Sequence, residues 1–332
     1  MFPIPVFVLF GPTASGKTEL LRGLFAPEGG VLRKGLGKAE VISADSMQVY
    51  RGMDIGTAKP SPEERARIPH HLIDIRNPDE QFNAGDFVRL ADECCAEIAA
   101  RGALPIVSGG AGFYLKNFIL GLPEAPPSDA GIRAALKEEM RLRGAAALME
   151  ELVRVDPESG RRIHTNDTYR LLRALEVFRL SGRPLSSYTA PGLEPARGEP
   201  GRKGRYRFLI AGLERDRAEL YRRIDLRCAE MFRAGLPAEL ARLTGQGYGP
   251  KDPGLRAIGY REFFTGESPE NYRLAEDPAA VEARVAQNSR RYAKRQITYF
   301  ASIPGVRRLE LSPGRPGPAG EILALVENFL AP

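Results

Sequence analysis

Apolar residues run almost unbroken from Phe2 to Phe10 (FPIPVFVLF). So short a run, rich in Val and Phe, predicts a strand buried on both faces. A glycine loop spans Gly11 to Gly16, and helical spacing follows from Lys17 to Phe25. Val41 to Ala44 reads as a second buried strand ending at Asp45, and His71 to Ile75 as a third. Between Ala84 and Arg101 the apolar positions Phe87, Ala91, Cys94, Cys95 and Ile98 fall at helical spacing, with Gly102 as the stop. Leu104 to Ser108 predicts another strand. Strands alternating with helices in this way predict a parallel sheet covered on both faces.

The pattern changes at Pro123. The run PEAPPSD marks a boundary, and from Ser128 to about Ser187 only helical periodicity remains. Ser128 or Asp129 can cap one helix and Asn166 or Asp167 another. Thr189 to Gly204 reads as a loop, and a strand pattern returns at Tyr206 to Leu213. A long helix is predicted from Asp216 to just before Gly235, with Leu220, Ile224, Cys228 and Met231 as its buried stripe. Residues 1–122 and 201–332 therefore form an α/β core, and 123–200 a helical insertion.

Composition narrows the class. The 332 residues are 43% hydrophobic and 27% charged, which suits a globular chain. Lys and Arg number 48 against 42 Asp and Glu, a net charge of +6 that permits a phosphate-rich partner without demanding one. No apolar run reaches the ~20 residues that span a bilayer, and a glycine loop stands where a signal core would sit. The expectation is a cytoplasmic protein with no membrane partner. Three cysteines, Cys94, Cys95 and Cys228, give neither a disulfide framework nor metal-site spacing.

Gly11-Pro12-Thr13-Ala14-Ser15-Gly16-Lys17-Thr18 matches G-x-x-x-x-G-K-[ST] throughout. Such a loop turns backbone N–H groups inward around phosphate oxygens, and the next helix aims its positive end at the same anion. Lys17 adds a full charge, and the Thr18 hydroxyl can ligate Mg²⁺. Nucleotide kinases, ATPases and other pyrophosphate users share this loop. Asp45 ends a strand where an open sheet has its ligand crevice, so it can bind metal, accept a proton or cap a helix. The strand at Leu104 to Ser108 runs into Ser-Gly-Gly instead of the acidic residue of an ATPase metal site. His70 and His71 are either a metal or acid-base pair, or residues packed at a strand start.

Seven segments in order carry a more specific signal: GPTASGKT (11–18), ISADSMQVYRGMDIGTAKP (42–60), HHLIDI (70–75), SGGAGFYLK (108–116), NDTYRLLRALEV (166–177), RAIGYREF (256–263) and RRYAKRQITYF (290–300). Together they resemble the bacterial tRNA dimethylallyltransferases, or tRNA isopentenyltransferases, from Phe7 to Phe300. The resemblance implies a P-loop kinase-like parallel sheet core with an all-helical insertion domain that clasps a tRNA anticodon stem-loop. It implies transfer of a dimethylallyl group from dimethylallyl diphosphate to N6 of the adenosine immediately 3′ of the anticodon, by a monomer using Mg²⁺ at Thr18. The rival readings are a P-loop kinase, an RNA-binding protein with a vestigial loop, and an isopentenyltransferase acting on free adenylate.

Position by position, the resemblance places the diphosphate on residues 11–18, with Asp45 as general base and Lys17 and Arg217 meeting the leaving-group charge. It implies that tRNA is contacted by Asp45, Ser46, Met47, Gln48 and Ala111, by Tyr169, Arg170, Leu171, Leu172 and Arg173, and by Arg256, Ala257, Ile258, Gly259, Tyr260 and Arg261. Arg170 and Arg173 can grip phosphates or pair on the surface, Arg173 with Glu176. Arg290, Arg291, Lys294 and Arg295 beside Tyr292 and Tyr299 offer either an RNA contact or a solvated helix face. Three departures stand out: Ala111 where the family has Thr, Tyr299 where it has Trp, and a glycine-rich loop over 26–38 that is longer than usual.

Overall fold

The computed structural model describes residues 3–25, 38–188, 205–266, 268–311 and 319–331. The loop expected over Thr189 to Gly204 and nearly all of the glycine-rich loop over 26–38 lie outside the described residues. In chain order the first elements are β1 (Ile4–Phe10), α1 (Lys17–Phe25), β2 (Ala39–Ala44), α2 (Pro62–Arg67), β3 (His70–His71), α3 (Ala84–Ala100), β4 (Leu104–Gly109) and α4 (Gly112–Leu120). Next come α5 (Ala130–Val155), α6 (Pro157–Arg162), α7 (Thr168–Ser181), β5 (Tyr206–Arg215), α8 (Arg217–Arg233) and α9 (Leu236–Gly245). The chain closes with β6 (Phe264–Gly266), β7 (Tyr272–Leu274), α10 (Pro278–Phe300), β8 (Arg307–Leu311) and α11 (Ala319–Leu330). Strands β6 and β7 form a small antiparallel pair of their own. None of the described helices is long and apolar enough to cross a membrane.

Contacts divide the chain into two compact units, Met1–Ile119 with Ala196–Pro332, and Leu120–Pro195. In the first unit six strands pair in the order β3-β2-β4-β1-β5-β8, all parallel. β1 is central, so both of its faces meet helices, and Val6 to Leu9 are wholly buried. Phe7, Leu9, Ile106, Leu213, Ile322 and Val326 belong to one core cluster between sheet and helices. The strand expected over His71 to Ile75 stops at His71, because Leu72 (φ 62) and Asp74 (φ 57) take left-handed backbone. Lys59 holds that turn: its Nζ meets Asp54 at 2.7 Å, Asp74 at 2.6 Å and the Tyr50 carbonyl at 2.9 Å. A charge so buried is tolerable only when paired and hydrogen-bonded.

The second unit is helical. Asp129 caps α5 through the Ile132 N–H, and Asp167 caps α7 through that of Arg170. Leu136, Leu148, Leu152, Leu171, Leu172 and Leu175 form its core. Glu176, fully buried, accepts hydrogen bonds from Ser128 Oγ (2.6 Å), the Asp129 N–H (2.9 Å), Arg133 (2.9 Å) and Arg173 (3.0 Å).

Candidate active site

The sheet order brings the carboxyl ends of β1, β2, β4 and β5 to one edge, where an open parallel sheet binds its ligand. The phosphate loop leaves β1 there, Asp45 leaves β2, Gly110 leaves β4, and β5 ends in Arg215. A cavity of about 970 Å³ opens among them, lined by Thr13 to Thr18, Asp45 to Gln48, Arg223 and Arg227 among others.

The loop reverses through Ala14 (φ 61) and Gly16 (φ 98), the second a conformation that a side chain would strain. Lys17 Nζ donates to the carbonyls of Gly11 (2.9 Å) and Pro12 (3.0 Å). Burial, seconded by the charge of Arg227, lowers its pKa to about 8, and Asp45 only partly opposes this. Three arginines brace the loop in sequence. Arg215 Nε donates to the Ser15 carbonyl (2.9 Å), Arg223 Nε to that of Ala14 (2.9 Å), and Arg227 Nη1 to Thr13 Oγ1 (3.4 Å). Burial also lowers the pKa of Arg227, again against the pull of Asp45.

Asp45 is held by its own turn. Its Oδ1 accepts from the N–H groups of Met47 (2.8 Å) and Gln48 (3.3 Å). Its Oδ2 takes no hydrogen bond among the described residues. Burial raises the Tyr292 hydroxyl to about 12, and the negative charge of Asp45 adds to this. Gln296, buried on α10, ties the loops together. Its Oε1 accepts from the Thr13 N–H (2.9 Å) and its Nε2 donates to the Gly110 carbonyl (2.8 Å). Sequence reasoning passed over Gln296, yet a signal exists: it is a polar residue on a stripe with Val281, Val285, Ala293 and Phe300, all buried.

Several expected contacts are placed elsewhere. Arg217 is exposed, donates to Tyr221 Oη (3.1 Å) and does not line the cavity; it heads α8, about 9 Å before Arg223 at 1.5 Å of rise per residue. Leu171 and Leu172 lie in the core of the helical unit, so they offer no surface to tRNA. Arg173 is taken up by Glu176 and the Pro126 carbonyl, the pairing alternative. Tyr169 remains exposed, with the Arg133 guanidinium 4.7 Å from its ring centroid, and Arg170 is exposed beside Asp167. The Gln48 amide is satisfied within the protein, by Ser43 Oγ and the carbonyls of Thr57 and Ala58. Gly259 and Tyr260 are buried behind the wall, while Arg256, Ala257, Ile258 and Arg261 line it. Ala111 donates its N–H to the Ala44 carbonyl (3.0 Å) and does not line the cavity.

The remaining candidates have ordinary structural roles. His70 Nδ1 lies 2.6 Å from the Ile68 carbonyl, and His71 Nε2 lies 2.6 Å from Glu40. The cysteines are free thiols, and burial raises the pKa of each. Among the described residues no three His, Cys, Asp or Glu side chains cluster to hold a metal. Lys294, Arg295 and Tyr299 share a shallow second depression on α10, and Lys116 Nζ sits 5.9 Å from the Tyr299 ring centroid.

A phosphate loop, a ring of arginines and the carboxylate of Asp45 at the end of a parallel sheet define a protein of the P-loop class. The IPP transferase family matches this chain over residues 48–303. A tRNA dimethylallyltransferase of Geobacter sulfurreducens is 45% identical over 305 residues, 91% of each chain. A second from Desulforudis audaxviator is 39% identical, covering 98% of this chain and 99% of that one. The solved tRNA isopentenylpyrophosphate transferase of Bacillus halodurans superposes with a TM-score of 0.65 at 33% identity, covering 98% of this chain and 97% of that one. A eukaryotic dimethylallyltransferase acting on tRNA shares the fold at a TM-score of 0.75 and 23% identity, covering 98% of this chain and 79% of that one. The chain belongs to the IPP transferase family, whose bacterial relatives are the tRNA dimethylallyltransferases.

The arginine geometry sets an expectation. Arg217→Ala should leave the KM for the prenyl diphosphate within about threefold of wild type, whereas Arg223→Ala should raise it by about tenfold or more, on the scale of one lost charge-assisted bond. Steady-state kinetics with varied prenyl diphosphate checks both, and the reverse ranking would assign the clamp to Arg217.

Proposed function

We propose that this chain transfers a dimethylallyl group from dimethylallyl diphosphate to N6 of the adenosine immediately 3′ of a tRNA anticodon, releasing diphosphate. The observation that carries this reading is the shared cavity: Lys17, Arg223 and Arg227 line it together with the carboxylate of Asp45 at the end of β2. N6 attacks C1 of the dimethylallyl group as the C1–O bond breaks. The bonding pair leaves on the diphosphate, and one N6 proton passes to the Asp45 carboxylate. N6 is a weak nucleophile, so the larger share of the barrier is the charge gathering on the leaving group. Fixed N–H donors and cations meet it without reorganising, a contribution of about 10²–10³ in rate per donor where measured.

β4 ends in Ser108-Gly109, followed by Gly110, with no acid there to serve as an ATPase's metal ligand, which weakens an ATP-hydrolysing reading. Thr18 lines the cavity with a hard oxygen, and diphosphate and water would complete a shell that magnesium accepts. The residues present thus fit Mg²⁺, held by Thr18; when bound it would add positive charge beside the leaving group. Tyr169, Arg170, Arg256 and Arg261 are the exposed side chains that support tRNA contact, as stacking faces and phosphate partners.

The test incubates the full chain with dimethylallyl diphosphate, Mg²⁺ and either unmodified tRNA or AMP, followed by mass spectrometry of the nucleosides. The expected product is dimethylallyl adenosine at the position next to the anticodon in the tRNA arm alone. Modified AMP would favour the free-adenylate enzyme, and ATP consumption without prenyl transfer would favour a kinase.

A further inference from the structure

Residues 56–59 and 256–258 line the cavity but belong to neither the phosphate loop nor the arginine ring. Behind them, on α9, stands Glu239, a buried acid among the buried apolar residues Leu236, Leu240 and Leu243. Its Oε2 accepts from the N–H groups of Asp54 and Ile55, both at 2.9 Å. Its Oε1 accepts from the Gly56 N–H at 3.1 Å and from Tyr260 Oη at 2.6 Å. Three successive N–H groups aimed at one point form an anion nest, here filled by the protein's own carboxylate. The fit is close: a Cβ on Gly56 would lie 2.5 Å from the Tyr260 ring.

The contacts continue toward the reacting centre. Gln48 Nε2 donates to the carbonyls of Thr57 and Ala58, both at 3.3 Å, and the Gln48 N–H donates to Asp45 Oδ1 at 3.3 Å. We propose that Glu239 is a positioning residue for the acceptor side of the reaction: it pins 54–58 to 256–260 and, through Gln48, sets the carboxylate of Asp45. The inference rests on the prenyl-transfer reading. The diphosphate grip rests on other residues, so the two halves of the site separate in kinetics. Exchanging the carboxylate for an amide turns one acceptor oxygen into a donor facing other donors, and a displaced base loses rate steeply.

The test compares Glu239→Gln, Tyr260→Phe and the double variant with wild type, all as full chains with melting temperatures recorded. With anticodon stem-loop RNA, kcat should fall about tenfold in Glu239→Gln and about threefold in Tyr260→Phe, given the sensitivity of catalysis to small displacements. The KM for dimethylallyl diphosphate should stay within about twofold, and the double variant should be no slower than Glu239→Gln, since both act on one pin. Tyr260→Phe keeps the carboxylate and its three backbone donors, so it carries the test if Glu239→Gln does not fold. An unchanged kcat, or a donor KM that moves as far as kcat, overturns the proposal. Hydrogen exchange gives a readout independent of turnover. Amides 54–58 should lose protection in the variants while 11–18 keep theirs, and unchanged protection at 54–58 overturns the proposal even if wild type proves inactive on tRNA. Inactive wild type with the expected exchange pattern would instead count against the prenyl-transfer reading.

Discussion

Asp45→Asn is expected to slow single-turnover transfer by about 10²-fold or more, the usual contribution of a positioned general base, while tRNA affinity changes little. The asparagine comparison is informative because Asp45 does two things. One oxygen closes a turn with the N–H groups of Met47 and Gln48, and the other is free of protein partners among the described residues. An asparagine Oδ1 can keep the turn, but the side chain cannot take a proton. Asp45→Ala removes both, so it should be at least as slow and should also loosen 45–48. If the two variants are equally slow, the lost basicity accounts for the defect. If Asp45→Asn transfers at a near-normal rate, Asp45 serves the turn and some other group takes the N6 proton. Both variants should still bind inorganic pyrophosphate, because the proposed grip lies with Lys17 and the arginines. Removing the carboxylate even strengthens the local positive field.

Local rules carried much of this far. The bounds of α1, Lys17–Phe25, follow from the phosphate-loop motif and the apolar spacing. The strand end at Asp45 was legible because β2 is a short apolar run closed by a charged residue. What escaped depends on distant partners. The strand expected over His71 to Ile75 gives way to a left-handed turn whose ion pairs reach back to Lys59. Gln296 is 283 residues from the amide it holds, and Glu239 is 185 from the farthest of its own. Both broke the pattern visibly, as polar residues on apolar helix stripes, but no spacing rule names a partner. Arg217, placed outside the cavity lining, is a related case. A helix-starting arginine next to a cap looks ready to meet an anion. Which arginine reaches the loop depends instead on how the end of β5 and α8 lie along it, and the register runs from Arg215 of β5 at Ser15 to Arg227 of α8 at Thr13. β8 and α11 sit beyond the last motif, and their short apolar patterns give little warning that they complete the sheet and cover it.

Lys17→Met is expected to lower kcat/KM for the prenyl diphosphate by about 10²–10³, the range for one preorganised donor at a developing charge. Its pH dependence identifies the cause. Burial beside Arg227 brings Lys17 down from 10.5 to about 8, so in the free enzyme the ammonium is lost as pH rises through that value. Bound diphosphate favours the charged form and lifts the pKa again. Affinity for the donor should therefore be flat below about pH 8 and fall above it, by up to tenfold per pH unit, as binding comes to require uptake of a proton. Lys17→Met should lack that fall, and its residual slope reports the ligand's own ionisation. Stability runs the other way. The unfolded chain holds the proton up to pH 10.5 while the folded chain releases it near 8, so between those values the group's contribution to stability grows with pH. The fold thus bears a charge at neutral pH that Asp45 offsets only in part and that an anion in the loop would relieve further. Titration of pyrophosphate affinity and of melting temperature over pH 7–10 should show the two trends diverging when the Lys17→Met curves are subtracted from those of wild type. Parallel trends, or a wild-type affinity indifferent to pH, would remove Lys17 from the phosphate grip.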